Sequence, residues 1–578
     1  MNLKRASSLW LLSRYVYLCL VVFMLGLVSP ADAKTLLVPE EHAAIQLAID
    51  AASAGDTVLV NSGVYSERIR MKAGVVLRSA GEDQRGKVGL KRAEDTVIDG
   101  SGIESNDPGV LMAEDSTLDG FTVTGIGSYD EEKWKRHYAT RGDDQEYEKI
   151  GQLGVAGVCV EKVNQCRVIN NVVHHIGYTG ILIVGDDQVG DDQVGDDQVA
   201  KRPHIIGNVS FRNMGGGIGV MHGASPTIES NLCFENFYAG IGHASNATPR
   251  VINNTCFGNI RAGIGISEGS QPVVRGNQCY DNRRAGIGVR TGEETAPLIE
   301  GNECFRNEMA GIGISDEATG IVRDNRCYRN KEAGIGCREG ARPTIEGNQC
   351  YENNMAGIGI EKGASATLRN NQCRENRLAG IGVRENATAH LYQNRCEENQ
   401  TVAIGVDSES NVTAISNHLI RTGGMPPMIA VKGSSTAWLI GNTIIGGGVA
   451  GVLAQGDVRV LGNEFIGNGP RKGPGPPHFA VWGHEDARVS MVNNQIRGWR
   501  HGLSTNKSFS VQAVGNEIRN FIDAAIVVKN SKRRTQILSN VAYSKGDQDR
   551  CVNIEGEGAI SRENVVKIEE SASEAGAK

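Results

Sequence analysis

Aromatic residues are scarce in this chain, at 5% of 578 positions, and the net charge is only −7. So mild a charge leaves no electrostatic footprint for nucleic acid and no strongly acidic character. Few aromatics beside 74 glycines is the balance of many short strands joined by frequent turns. Catalytic signatures are missing as well. The chain holds no Cys-x-x-Cys pair, no His-Glu-x-x-His and no phosphate loop of the Lys-Ser/Thr type. Gly217-x-Gly219 sits mid-coil with no helix after it, which excludes a dinucleotide motif.

What the chain does contain is repetition. Cys233, Cys256, Cys279, Cys304, Cys327, Cys350, Cys373 and Cys396 follow one another at steps of 23, 23, 25, 23, 23, 23 and 23 residues. Each is the third residue of an Asn-x-Cys triplet, a second Asn follows three residues later, and Ala-Gly-Ile-Gly-aliphatic comes next, as in Ala262–Ile266. A fixed period of this length without helical patterning is the mark of a solenoid, which grows by stacking and need not split into domains. Further Asn-led coils are read at Asn171 and Asn208, and from Asn417 to Asn564. About 17 or 18 coils at ~4.8 Å each predict a rod of roughly 80 Å.

The chain divides as follows. Residues 1–33 read as a secretory signal, with Lys4, Arg5 and Arg14 before the apolar run Tyr15–Val28 and a small-x-small site at Ala31-Asp32-Ala33. Residues 34–95 form an N-terminal cap and the first coils, where His42–Ser53 places Ile45, Ala48, Ile49 and Ala52 on one helical face, and strands are expected at Glu67–Met71 and Val75–Arg78. Residues 96–567 are the β-helix repeats, with a regular block at 208–417. Three insertions leave the coil: 128–153, 185–199 with its triple Gly-Asp-Asp-Gln-Val, and the Pro/Gly loop of 467–478. Residues 568–578 read as a disordered tail.

The run Ile45-Gln46-x-Ala48-Ile49-x-x-Ala52, Gly55-Asp56-Thr57-Val58-Leu59-Val60 and Gly63-Val64-Tyr65-Ser66-Glu67 resembles the opening of pectin-lyase-like right-handed parallel β-helix proteins. Within that superfamily it is similar to the group with carbohydrate-binding and sugar-hydrolysis repeats, which includes NosD-like periplasmic proteins. The resemblance implies an all-β right-handed parallel β-helix with an N-terminal amphipathic capping helix. It also implies an exported protein, periplasmic or extracellular, that binds or processes a carbohydrate polymer along its rod. If it is an enzyme, it would be a polysaccharide lyase, hydrolase or epimerase. The Asp-Pro-His-Asp motif of alginate epimerases is absent, with Arg202-Pro203-His204 the nearest approach, and the motifs of pectate lyases and polygalacturonases are not recognisable. Two other readings stand beside it: a non-enzymatic NosD-like accessory protein for maturing a copper enzyme, and a structural surface spacer or adhesin. No cofactor and no metal are assigned. The expected partner is a polysaccharide or cell-envelope component, without nucleic acid and without membrane once the signal is removed, and the protein is expected to be a monomer.

Stacking turns equivalent positions into columns. The Cys column points inward and reads as a ladder of buried free thiols acting as small hydrophobes, because in-register Cβ atoms at ~4.8 Å exceed the ~3.5–4.5 Å of a disulfide. The Asn columns read as turn residues in the left-handed region that hydrogen-bond from coil to coil. After the Cys slot comes an outward column of Phe211, Phe234, Phe257, Tyr280, Phe305, Tyr328 and Tyr351, preceded by His174 and ended by Arg374 and Glu397. It is either a ladder covering the turn or a platform for sugar rings. The outward glycines, Gly219 through Gly405, form a flat floor beside a polar column that includes Arg290, Arg338, Glu361 and Arg384. Such a floor and wall suit an extended, partly acidic polymer. His174, His175, His204, Met221, His222 and His243 fall on neighbouring coils near the insertions. His175 and His222 are the weak candidates for acid–base work, while His243 stands where other coils have an inward aliphatic.

Overall fold

A computed structural model describes residues 33–145, 154–186, 202–446, 448–468, 478–544, 551–555 and 559–568. The signal-like residues 1–32, most of the repeat-bearing loop of 185–199, most of the Pro/Gly loop and nearly all of the tail lie outside the described residues.

Three parallel sheets run the length of the chain. Sheet A extends from Thr35–Val38 to Ile560–Arg562, sheet B from Gly63–Tyr65 to Val565–Ile568, and sheet C from Ile69–Arg70 to Val552–Ile554. Among the described residues they hold 21, 20 and 19 strands. Each strand pairs in register with its equivalent in the next coil, so that Thr255, Cys256 and Phe257 face Gln278, Cys279 and Tyr280. This is the expected parallel β-solenoid, but longer than the 17 or 18 coils predicted. The additional coils are the first ones, whose strands at Thr35, Thr57, Val76 and Thr117 carry no Asn marker. At ~4.8 Å per coil the rod measures roughly 95 Å.

The period of two decides what is buried. In Ile264–Ile266 both isoleucines are inside and Gly265 is outside, and Cys256 lies inside between two outward neighbours. The whole Cys ladder is buried and unpaired. Desolvation pushes the thiols of Cys233, Cys279 and Cys327 well above the usual range, so they act as apolar spacers.

Two Asn ladders hold the corners. Asn254 Oδ1 accepts from the backbone N–H and Nδ2 of Asn231 at 2.9 and 3.0 Å, and Asn254 Nδ2 donates to Ile228 O and Asn277 Oδ1, both at 3.0 Å. Asn259 repeats the pattern at the next corner, donating to Cys233 O at 3.1 Å and Asn282 Oδ1 at 3.0 Å. These buried amides thereby satisfy backbone groups that leave the strands at each bend. The left-handed residue is not the ladder Asn, as the sequence suggested, but the residue before it: Asn253 at φ 55°, Glu235 at 53° and Asp281 at 53°.

At the N-terminus the helix α1 (Ile45–Ala51) buries Ile45, Ala48 and Ile49 as the periodicity predicts, within narrower bounds than His42–Ser53. Its N-terminus has no side-chain cap of its own. Glu67, one turn of the solenoid later, accepts from the N–H groups of Ile45 and Gln46 at 2.9 Å each, the service a capping residue renders. The strand expected at Glu67–Met71 is reduced to Ile69–Arg70 because Glu67 is engaged at this helix. The helix α2 (Lys91–Asp95) carries the buried Arg92, which donates to Asp119 Oδ1 at 2.6 Å, Ser79 Oγ at 2.9 Å and Asp83 Oδ1 at 2.6 Å.

The insertion after Gly127 forms α3 (Glu131–Ala139), capped by Asp130 through the Lys133 N–H at 2.9 Å. It lies across several coils. Trp134 Nε1 donates to Glu235 O at 2.8 Å, and Gln145 Nε2 donates to Phe237 O at 2.6 Å. Trp134 also packs with Met214, Phe237 and Ile260 in an apolar cluster separate from the main core.

Candidate functional site: a glycine-floored groove

The outer face of sheet C is a long groove of about 690 Å³. Its floor is the second glycine of each Gly-Ile-Gly triplet. From Gly242 to Gly382 these glycines are not forced by packing, whereas a Cβ on Gly219 would lie 3.2 Å from Thr179 Cγ2. A Cβ on Gly242 would meet nothing within 4 Å, and on Gly265, Gly288 or Gly336 only an alanine Cβ at 3.5–3.6 Å. The first glycine of the triplet is different: a Cβ on Gly263 would lie 2.8 Å from Gly286 O and 2.9 Å from Asn282 Nδ2. One glycine therefore closes the corner, and the other leaves open space above the sheet.

Two walls rise from this floor. On one side stand Ser267, Arg290, Ser315, Arg338, Glu361 and Arg384, one per coil. The predicted Arg290, Arg338, Glu361 and Arg384 are thus brought together in one wall. Arg384 reaches back to Glu361 with Nε and Nη2 at 2.8 and 2.5 Å. Arg338 is 3.9 Å from Glu339. The other wall runs through Arg261, Arg284, Met309, Glu332, Met355 and Leu378, and the insertion holds its first two members: Arg261 Nε donates to Gln145 Oε1 at 2.7 Å and Arg284 Nη2 to Gly142 O at 3.1 Å. Sequence reasoning placed the insertions beside the histidines and missed this coupling to the groove, because a contact across more than a hundred residues leaves no local pattern.

The aromatic column lies elsewhere, on sheet B. From Phe211 to Tyr351 successive ring centroids are 4.8–5.1 Å apart with interplanar angles of 2–12°. Phe234, Phe257, Tyr280, Phe305, Tyr328 and Tyr351 turn their faces on one another and only their edges outward. His174 stacks on Phe211 at 4.9 Å and the Arg374 guanidinium sits 4.2 Å from the Tyr351 ring, so both ends are covered too.

The histidines do not converge. His174 and His175 touch through their Nδ1 atoms at 2.7 Å, with the Tyr129 ring edge-on to His175 at 4.5 Å. Burial lowers His174 to about 4 and lowers His175 as well, which favours the neutral rings. His222 follows the sheet C strand Ile218–Met221 in the left-handed region at φ 53°. His204 begins a sheet A strand, and His243 is buried in the core. Among the described residues no three His, Cys, Asp or Glu side chains come together as a metal site.

The stacked coils, inward aliphatics and corner ladders define a parallel β-solenoid with a groove along one sheet. A family profile described as a right-handed β-helix region matches residues 156–297, 287–349 and 323–468, and the chain belongs to that family. No curated protein matches the chain. Among solved structures, the A-module of a mannuronan C-5 epimerase from Azotobacter vinelandii is 16% identical, covering 67% of this chain and 95% of its own, at a TM-score of 0.33. The N-terminal fragment of gene product 12 of bacteriophage phi29 is 10% identical over 91% of this chain and 89% of its own, at 0.39. A family 28 exopolygalacturonase from Yersinia enterocolitica is 12% identical over 93% of this chain and 78% of its own, at 0.23. Among the described residues no helix is long and apolar enough to cross a membrane.

Proposed function

We propose that this is an exported protein that binds or processes an extended, acidic carbohydrate polymer laid along the groove of sheet C. The observation that carries this reading is the row of outer glycines whose Cβ positions are open, floored by alanines and walled by Arg290, Arg338 and Arg384. A chain of sugar rings is flat-sided and repeats on about the length of one coil, so successive rings can sit over successive glycines. Guanidinium groups on the rim suit carboxylate or sulfate substituents through charge-assisted hydrogen bonds. The aromatic ladder serves this reading as a stiffening spine, since its ring faces are already occupied.

The test is binding of the mature protein, residues 34–578, to neutral and acidic polysaccharides. Acidic polymers are expected to bind in preference to neutral ones, with an affinity that falls as salt rises. Gly288→Leu together with Gly313→Leu fills the floor and is expected to lower affinity at least tenfold, and Arg290→Ala/Arg338→Ala/Arg384→Ala is expected to abolish the acidic preference. Tyr280→Ala/Phe305→Ala/Tyr328→Ala is expected to lower stability while the surviving folded protein still binds. Polymer binding that is untouched by the floor variant but lost in the aromatic variant would move the site to sheet B.

A further inference from the structure

The glycine floor stops abruptly at one end. A Cβ on Gly242 would meet nothing within 4 Å, but one coil earlier a Cβ on Gly219 would lie 3.2 Å from Thr179 Cγ2 and 3.4 Å from Leu182 Cδ1. Those two side chains therefore take the space above Gly219. The residue paired with Gly219 in the preceding coil is Leu182 itself, and before it come Cys159 and Leu111. Leu182 and Met221 are 4% and 7% exposed and cluster with Ala156, flanked by Cys159, Tyr178 and Val184. Tyr178 is pressed by the chain at Gly154, where a Cβ would stand 2.7 Å from its Cγ. This apolar plug closes the groove at its N-terminal end. In the other direction the floor runs on through Gly405 and rises by a single methyl group at Ala430.

The walls change character over the same distance. The Ala244 N–H donates to Val220 O, the Ser267 N–H to His243 O and the Arg290 N–H to Ile266 O, each at 3.0 Å. One wall therefore reads Met221, Ala244, Ser267, Arg290 along the coils. On the other, the Tyr238 N–H donates to Gly215 O at 3.0 Å and the Arg261 N–H to Tyr238 O at 3.2 Å. Among the described residues no Asp, Glu, Lys or Arg lines the groove between Tyr178 and Ala244. Arg261 is the first charged lining residue, with its Nε on Gln145, and the wall arginines begin at Arg284 and Arg290. A carboxylate set down over Gly242 would lose water among Leu182, Met221, Tyr238 and Ala244 without a cation in its own coil, which is costly. The apolar face of an uncharged group gains there by burial.

We propose that the groove takes the polymer by its end. The last unit lies over Gly242 against the plug and carries an uncharged group with an apolar face, and the acidic units follow along Arg290, Arg338 and Arg384. The inference rests on the groove reading above and names the part of the polymer that is bound. A chain in contact with the floor cannot continue past Leu182, so the plug selects an end over a mid-chain segment. The gradient of the walls sets its direction, apolar terminus towards Leu182 and anionic body towards Arg384.

The experiment has two arms on the mature protein, both with polygalacturonate as the acidic polymer. In the first, sedimentation velocity counts protein molecules per chain at saturation, on short and long chains that all exceed the groove. End capture predicts the same number for every length, at most one per chain end. In the second, octyl glucoside below its micelle concentration, a neutral ring with an apolar tail, competes with the polymer. It is expected to displace the polymer from wild type. Gly242→Leu fills open space beside the plug and is expected to weaken octyl glucoside binding at least tenfold, whereas Gly382→Leu, at the far end, is expected to leave it unchanged. A protein count that rises in proportion to chain length would overturn end capture and leave the groove reading standing. So would polymer binding that octyl glucoside does not disturb, or equal losses of octyl glucoside in the two glycine variants. Failure of wild type to bind any acidic polymer would overturn the groove reading and end capture with it.

Discussion

His243 shows how much one residue can hide in a repeat. It occupies the inward slot that is Ile266 one coil later, is 3% exposed, and neither ring nitrogen reaches a partner of hydrogen-bonding geometry. Burial lowers its pKa to about 3, so the folded protein keeps it neutral. The unfolded chain takes up a proton near the ordinary ~6.5. Below that pH the unfolded state binds more protons than the folded one, and stability is lost as pH falls from about 6.5 towards about 3, at up to ~1.4 kcal/mol per unit. His243→Ile restores the repeat and removes the penalty. Thermal unfolding followed across pH 4–7 is expected to give a higher midpoint for the variant and a flatter acid side; parallel curves would show that His243 is not the titrating group. The sequence marked His243 as an inward histidine because the register of the repeat is unambiguous.

Within sheet C the two glycines of each triplet look alike in sequence and have different duties. Gly263 touches the corner ladder: an added Cβ would stand 2.8 Å from a backbone carbonyl and 3.0 Å from Cys279 Cβ, neither of which can move without shifting the neighbouring coil. Gly263→Ala is expected to destabilise by ~1–3 kcal/mol, as overpacking does. Gly265 has an ordinary backbone φ and its nearest neighbour would be Ala239 Cβ at 3.5 Å. Gly265→Ala is therefore expected to be neutral or to stabilise by ~0.4–1 kcal/mol through the unfolded chain. Thermal midpoints of the two variants side by side decide the matter, and equal losses would mean that the floor is structural rather than open. Alternation alone indicated that Gly265 faces out. How its walls are built needed the structure, because Gly142 and Gln145 fix Arg284 and Arg261 from a distant insertion.

At the scale of the whole molecule, each strand pairs only with its equivalents in the neighbouring coils, so coils away from the α3 insertion are expected to be removable in whole units. Deleting the 23 residues Arg395–Asn417 joins Asn394 to His418. His418 then pairs with Gln372 and Leu419 with Cys373, the slots now held by Arg395 and Cys396. The Asn ladder closes from Asn394 to Asn442 at a step of 25, the step already found between Asn277 and Asn302. Arg421, which donates to Asn399 O and Thr401 O at 2.7 and 2.8 Å, finds the equivalent carbonyls of Asn376 and Leu378. The groove from Ser267 to Arg384 is untouched. Such a protein is expected to fold, to shorten by one coil of ~4.8 Å, and to keep polymer binding. Deleting only Arg395–Ser416 shifts every following strand by one position, which turns Leu419 and Ile429 outward and their polar neighbours inward, and this protein is expected to aggregate. Solution scattering and circular dichroism on the pair test the argument. If both deletions fold equally well, register is not what holds the coils together, and the stacking of inward columns has been given too large a part.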